Sequence, residues 1–214
     1  MSEQKAPVWD DSMPQNPEMS FVDYVLPGMM GPKGRFEQWA GIDWLPGETG
    51  WSVLDVGCGD ANYCRFFREA KGMVYSGCDI SQNMLAAARK AYPDVDFRQA
   101  DATALPYEDS SYDMVFCSDL LLHIPLELEA PIVGELRRVA RHVAVVHTRP
   151  LIEAPPHEHL RRPAPHLRFR YQTLDYELAF MRSMQADVEQ HIRNYREIIG
   201  RPGVDAFFIF RSPQ

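Results

Sequence analysis

From Trp51 onward, apolar and polar positions fall into two alternating periods. Trp51 to Val56 is a short apolar run closed by Gly57, and Ala61 to Ala70 carries the apolar spacing of a helix, so the chain reads there as strand, tight turn and helix. The unit recurs in type, with Met73 to Cys78 as a strand, Ser81 to Ala91 as a helix whose N-cap is Ser81, and Val95 to Gln99 as a third strand. A turn-rich stretch through Pro106 and Asp109 leads to a fourth strand, Asp113 to Cys117, a helix, Glu127 to Val139, and a fifth strand, His142 to His147. Strands and helices in strict alternation predict the α/β class: a Rossmann-like, doubly wound, mostly parallel sheet covered on both faces.

The flanks are less regular. Scattered prolines and glycines in the first fifty residues stand beside Phe21, Tyr24, Met29, Met30, Phe36, Trp39 and Trp44, a mixture too apolar for a disordered tail, and a packed cap is expected. Arg149 to Arg170 holds five prolines and three histidines, which suits a long surface loop. A helix over Leu174 to Met184 follows. The end reads as two strands, Val188 to Arg193 and Val204 to Arg211, joined through Gly200, Pro202 and Gly203 as a hairpin, which completes a seven-stranded sheet with an antiparallel C-terminal strand. Val188, Ile192, Tyr195 and Ile199 would equally line one face of a helix. The expectation is one domain over residues 1–214: an N-terminal cap (1–48), a cofactor-binding core (49–148), a lid loop and helix inserted after strand 5 (149–185), and a C-terminal hairpin (186–214).

Composition narrows the partners. Hydrophobic residues make up 45% of the 214 and charged residues 24%, the balance of a folded domain. The formal charge of −8 and pI of about 5.3 oppose attraction to phosphate backbones, so no nucleic-acid partner is expected. Runs such as Ala206 to Phe210 fall far short of the roughly 20 residues that span a bilayer, and no basic-then-apolar leader precedes them. No membrane partner and a cytoplasmic location are expected. Cys58, Cys64, Cys78 and Cys117 lack zinc-type pairing and read as reduced thiols that fill space. His157, His159 and His166 lack the ligand types and spacing of a metal site, and no metal is expected.

In an open parallel sheet, ligands bind beyond the carboxyl ends of the strands, where the strand order reverses. The first strand ends in Asp55-Val56-Gly57-Cys58-Gly59-Asp60-Ala61, whose glycines let backbone approach a ligand just before a helix. The second ends at Asp79, twenty residues after Gly59, where a carboxylate accepts from both hydroxyls of a ribose. Asn62 stands where a dinucleotide fingerprint has its third glycine, and no Tyr-x-x-x-Lys proton donor occurs, which disfavours a nicotinamide oxidoreductase. The stretch Trp51 to Ala61 holds no Lys or Arg to cradle a phosphate, whereas Asp55, Asp79 and Asp101 suit a cationic ligand rich in hydroxyl and amine donors.

The strings VLDVGCGDANY, GCDIS and QADATALPYEDSSYDMVFCSDLLLHI, in that order over Trp51 to His147, resemble the first motifs of class I S-adenosylmethionine-dependent methyltransferases, particularly those of quinone biosynthesis. That resemblance implies S-adenosyl-L-methionine as cofactor. It implies that Asp55, Gly57, Cys58 and Gly59 form the loop beneath the methionine portion, that Asp79 binds the ribose with Ile80 against the adenine, that Asp101 and the Ala102 backbone meet the adenine edge, and that Ser118 touches the methionyl group. The departure is Ala61, where the family usually has glycine; an alanine is admissible there if its φ is negative.

The sulfonium already activates its methyl group, so the protein has chiefly to hold an acceptor oxygen or nitrogen in line, exclude water and take up a proton. His123 is the first candidate base, its ordinary pKa near 6.5 suiting proton removal at neutral pH, with Asp119 and His147 as further candidates. Arg149 and the histidines and arginines of the following loop suggest a lid over an anionic group, with Tyr24 and Trp39 in the pocket wall, which together favour a small-molecule acceptor. A protein of the same fold that binds the cofactor without methyl transfer is the other class left open.

Overall fold

Seven strands hydrogen-bond into one sheet: β1 (Ser52–Val56), β2 (Val74–Asp79), β3 (Asp96–Gln99), β4 (Tyr112–Ser118), β5 (Ala140–Thr148), β6 (Glu189–Ile198) and β7 (Arg201–Arg211). The computed structural model describes residues 44–152, 172–198 and 201–212. The strand order is β3-β2-β1-β4-β5-β7-β6, with β1 to β5 parallel and β7 antiparallel to both β5 and β6. Order reverses between β1 and β4, so the crevice predicted for a ligand opens beyond Val56 and Ser118. The seven-stranded, doubly wound fold read from the sequence is the one observed.

Successive strand residues point to opposite faces, and both faces are apolar. Val53, Tyr75, Phe97, Phe116, Val145, Phe207 and Ile209 pack on one side against Phe66, Phe67, Leu85 and Ala88. Leu54, Cys78, Val115, Cys117, Val146 and Phe208 pack on the other against Ile132, Val133, Leu136 and Met181. The covering helices are α1 (Gln82–Ala91), α2 (Glu129–Val139) and α3 (Leu174–Met184). Ser81 caps α1 by accepting from the Met84 amide at 3.3 Å, and Thr173 caps α3 by accepting from the Tyr176 amide at 3.2 Å. Pro131 lies in the first turn of α2, where its missing donor costs no hydrogen bond.

The helix expected from Ala61 starts late. Turns run from Gly59 through Tyr63, and helix follows only from Cys64, with Phe66–Ala70 as a π-helical turn. The C-terminal ambiguity resolves to an edge strand, which pairs with β7 from Glu189↔Ile209 to Ile198↔Arg201 with a register shift between Arg193 and Arg196. The cap of residues 1–43 and most of the lid loop, 153–171, with Tyr24 and Trp39 and the loop's histidines and arginines, lie outside the described residues.

Ala61 departs from expectation: its φ is +67°, in the region that glycine favours. The loop therefore takes a backbone conformation that glycine would adopt freely and carries the strain of a Cβ, about 1–2 kcal/mol. Its buried methyl group packs in the first cluster, which offsets part of that strain. Ala61→Gly is expected to change stability by less than about 0.5 kcal/mol, while Ala88→Gly, equally buried but inside α1, costs about 1–2 kcal/mol; parallel urea titrations of the two variants check the difference.

Candidate functional site at the carboxyl edge

Two βα turns meet through Asp79. Its carboxylate accepts from the Gly59 amide at 2.9 Å and from the Ser81 amide at 2.9 Å, tying the loop after β1 to the N-terminus of α1. Gly57 (φ +72°) and Gly59 (φ +56°) shape that loop, and the Gly57 and Cys58 amides both donate to the Cys78 carbonyl, at 2.8 and 3.0 Å. The glycines also leave room: a Cβ at Gly57 would stand 3.3 Å from the Leu120 side chain, and one at Gly59 would stand 3.1 Å from the Met84 methyl. Burial pushes the Asp79 carboxyl above its ordinary pKa, against the backbone amides that favour its charge.

Asp55 lies deeper. It is buried on the face of the sheet shared with Tyr75, whose hydroxyl donates to it at 2.6 Å, and burial, then the nearby Asp55 charge, push the Tyr75 phenol well up. The Cys58 thiol is pushed up by burial, then by Asp55 and Asp79, and Cys78 by the same causes to about 12, so both cysteines are protonated packing groups. Asp101 is exposed at the rim, where one carboxylate oxygen accepts from the Thr103 amide at 2.8 Å and from its hydroxyl at 2.7 Å. It follows Ala100, whose amide donates to the Asp79 carbonyl at 3.0 Å. The three acidic residues thus stand at successive strand ends at three depths: Asp55 beneath the loop, Asp79 at the crevice, Asp101 outside. The Ile80 carbonyl accepts from Gln99 at 2.9 Å, and Ala102 packs at the margin of the second cluster.

Beyond β4 the chain turns at Asp119, which is buried with φ +59°. Arg149 grips it with two nitrogens, Nε donating to Oδ1 at 2.9 Å and Nη2 to Oδ2. Two of the predicted site residues therefore neutralise one another, and an anion at Arg149 would have to compete with a buried carboxylate. His123, expected as a base with an ordinary pKa, is buried in the short 3₁₀ turn Leu121–His123, and burial lowers its pKa to about 3. Neutral at pH 7, it is a poor proton acceptor, because desolvation opposes its cationic form.

His147 and Ser118 face the same side as Asp55, and here the sequence left two residues unassigned. Ser118 Oγ lies 2.8 Å from the Tyr63 hydroxyl and 2.8 Å from His147 Nδ1, and His147 Nε2 lies 3.5 Å from Asp205 Oδ1. Tyr63 sits inside the quoted VLDVGCGDANY string, and Asp205 is a lone carboxylate beside the apolar run Ala206 to Phe210. Among the described residues no cluster of metal-ligating side chains occurs, and no helix is long and apolar enough to cross a membrane.

Residues 53–142 match the family of methyltransferase domains. The 2-methyl-6-phytyl-1,4-hydroquinone methyltransferase of Synechocystis is 37% identical over 107 residues, 49% of this chain and 32% of that protein. A phosphoethanolamine N-methyltransferase of Haemonchus contortus, solved with phosphomonomethylethanolamine and S-adenosylhomocysteine, superimposes at TM-score 0.71 with 17% identity over 90% of this chain and 56% of that one. An S-adenosylmethionine-dependent methyltransferase of Mesorhizobium loti superimposes at TM-score 0.62 with 21% identity over 85% of this chain and 100% of that one. The chain spans about a third of the length of the curated relatives it matches.

Two measurements follow from the rim. Arg149→Met leaves the buried Asp119 without its cation and is expected to cost about 3 kcal/mol, most of it recovered in Arg149→Met/Asp119→Asn, as read by urea unfolding. The lowered His123 pKa makes stability fully present above the unfolded value of 6.5 and lost progressively as pH falls toward 3. From pH 7 to 5 the wild type should lose about 2 kcal/mol more than His123→Gln, and equal losses would show that His123 is not buried as described.

Proposed function

We propose that this chain, whose residues 53–142 match the methyltransferase-domain family, binds S-adenosyl-L-methionine and transfers its methyl group to an oxygen or nitrogen of a small-molecule acceptor. The observation that carries the reading is the Asp79 carboxylate, held by the Gly59 and Ser81 amides at the point where strand order reverses. Beyond the backbone amides that hold it, the carboxylate keeps acceptor capacity for a ribose hydroxyl. Burial raises the cost of its charge, and no cation stands among the groups that shift its pKa, so a positively charged ligand rich in donors meets an unmet electrostatic need. The glycine loop adds close backbone approach without any phosphate-binding cation.

On this reading Gly57, Cys58 and Gly59 lie under the methionine portion, with Asp55 beneath them as a buried negative charge. Asp79 takes the ribose, Ile80 the adenine face, and Asp101 with the Ala102 amide the adenine edge. Ser118 faces the methionyl end. When bound, the sulfonium supplies a methyl group already activated toward a nucleophile; the chain's task is to orient the acceptor, exclude water and receive a proton. Arg149 holds Asp119 in place at the edge of the core of residues 49–148; Tyr24 and Trp39, proposed for the acceptor pocket, and most of the proposed lid lie outside the described residues, and α3 belongs to the cover of the sheet. An anionic group on the acceptor would be met by the lid's arginines and histidines. The acidic balance of the chain favours a small-molecule acceptor over a nucleic acid.

Isothermal titration calorimetry tests the reading. S-adenosylmethionine and S-adenosylhomocysteine are expected to bind and NAD to give no heat. Asp79→Ala should weaken cofactor binding at least about 100-fold, the scale of lost charge-assisted hydrogen bonds to both ribose hydroxyls. Radiolabelled methyl transfer to a panel of phenols, amines and carboxylic acids then separates an enzyme from a cofactor-binding module.

A further inference from the structure

The apolar column that β5 and β7 send to one face ends in two polar side chains, His147 and Asp205, both buried. Phe207 stacks on the His147 ring with centroids 4.4 Å apart, which fixes the ring plane. Ser118 pairs with His147 across β4 and β5, so its hydroxyl meets Nδ1 at 2.8 Å, and the Tyr63 hydroxyl reaches the same oxygen at 2.8 Å. Tyr63 is itself held edge-on against Phe116 at 5.0 Å. The four side chains come from β7, β5, β4 and the loop after β1, and they form a file along the carboxyl edge of the sheet. Ser118 is its half-exposed member, at the crevice.

We infer that Asp205 is a positioning residue that holds His147 in its Nε2–H tautomer and so turns Ser118 and Tyr63 into a proton-accepting file that opens on the crevice. A carboxylate oxygen 3.5 Å from Nε2 attracts an N–H there and repels a lone pair. With its proton on Nε2, the ring presents a lone pair at Nδ1, and the Ser118 hydroxyl donates to it. Ser118 Oγ then accepts from Tyr63 and keeps one lone pair toward the crevice. A proton leaving an acceptor O–H or N–H passes to Ser118 Oγ while the Ser118 hydroxyl proton passes to His147 Nδ1. The imidazolium so formed lies beside the Asp205 carboxylate, and it returns the proton to water after turnover. His123 lies off this file and is kept neutral by burial, so the burden of proton uptake moves from the 3₁₀ turn to β5.

This inference rests on the methyl-transfer reading only for what delivers the proton. The ring itself is read without cofactor or acceptor, from the long-range ¹H–¹⁵N spectrum of the histidine side chains at pH 7.5, with His147 assigned through His147→Gln. A protonated Nε2 and a bare Nδ1 are expected. A Nδ1–H tautomer, or a ring protonated on both nitrogens, overturns the file while leaving the methyl-transfer reading intact. Absence of S-adenosylmethionine binding would sink that reading and leave the tautomer standing. Asp205→Leu should give a mixture of tautomers and lower kcat about 100-fold with acceptor KM and cofactor affinity unchanged. A loss confined to KM or to cofactor affinity counts against the inference, and the wild-type spectrum decides the tautomer whether or not the variant folds.

Discussion

Because a strand sends alternate side chains to opposite faces, and β1, β4, β5 and β7 lie side by side, Asp55, Ser118, His147 and Asp205 share one face although they are far apart in the chain. The same columns are apolar over most of their length: Val53 precedes Asp55, Phe116 precedes Ser118, Val145 precedes His147, and Phe207 follows Asp205. Water is thereby kept out from below, and the polar groups occur only where the columns reach the carboxyl edge. A one-residue slip of any of these strands would send its polar residue into the opposite cluster with Leu54, Cys117, Val146 and Phe208. The site's geometry is therefore inherited from register, and register from the requirement that both faces be dry.

The two halves of the crevice differ in how their charge is met. On the β1–β2 side, Asp79 is held by backbone amides alone, and burial, then Asp55, then Asp79 push up the Cys58 and Cys78 thiols around it. On the β4–β5 side, Asp119 is matched by Arg149 from within the chain. A cationic nucleoside gains on the first side what it would not gain on the second. An anionic group gains little from Arg149, since freeing the guanidinium would leave a buried carboxylate behind. The two carboxylates thus differ in whether a side chain of the same chain supplies the counter-ion.

Much of this was legible in the sequence, for reasons that can be stated residue by residue. Glycine at a strand end allows close backbone approach and aspartate there offers a carboxylate to the crevice, and a lone string such as GCDIS marks such an end without any tertiary knowledge. Ser81 and Thr173 announce their helices through capping chemistry. What stayed hidden depends on non-local pairing. Asp205 could be noticed as a carboxylate beside an apolar run, yet only the antiparallel pairing of β7 with β5 sets it beside His147. His123 misled because position along the chain says nothing of desolvation, which decides its protonation. Arg149 and Asp119 were both named for the site, and their mutual ion pair appears only once β5 is set beside β4.

Ala61 and Asp119 carry the last step. Both are non-glycine residues in the left-handed region, one at each wall of the crevice, and such conformations persist only where the surroundings over-determine them. For Ala61 the determinants are the turn from the Cys58 carbonyl, which accepts its amide at 2.9 Å, and the burial of its methyl in the first cluster. For Asp119 they are its amide bond to the His147 carbonyl at 2.9 Å and the grip of Arg149. A glycine at Ala61 would relax the turn and also widen the conformations open to it in the free protein. An alanine forgoes that freedom, and the strain of holding the loop in one conformation is carried by the fold around it.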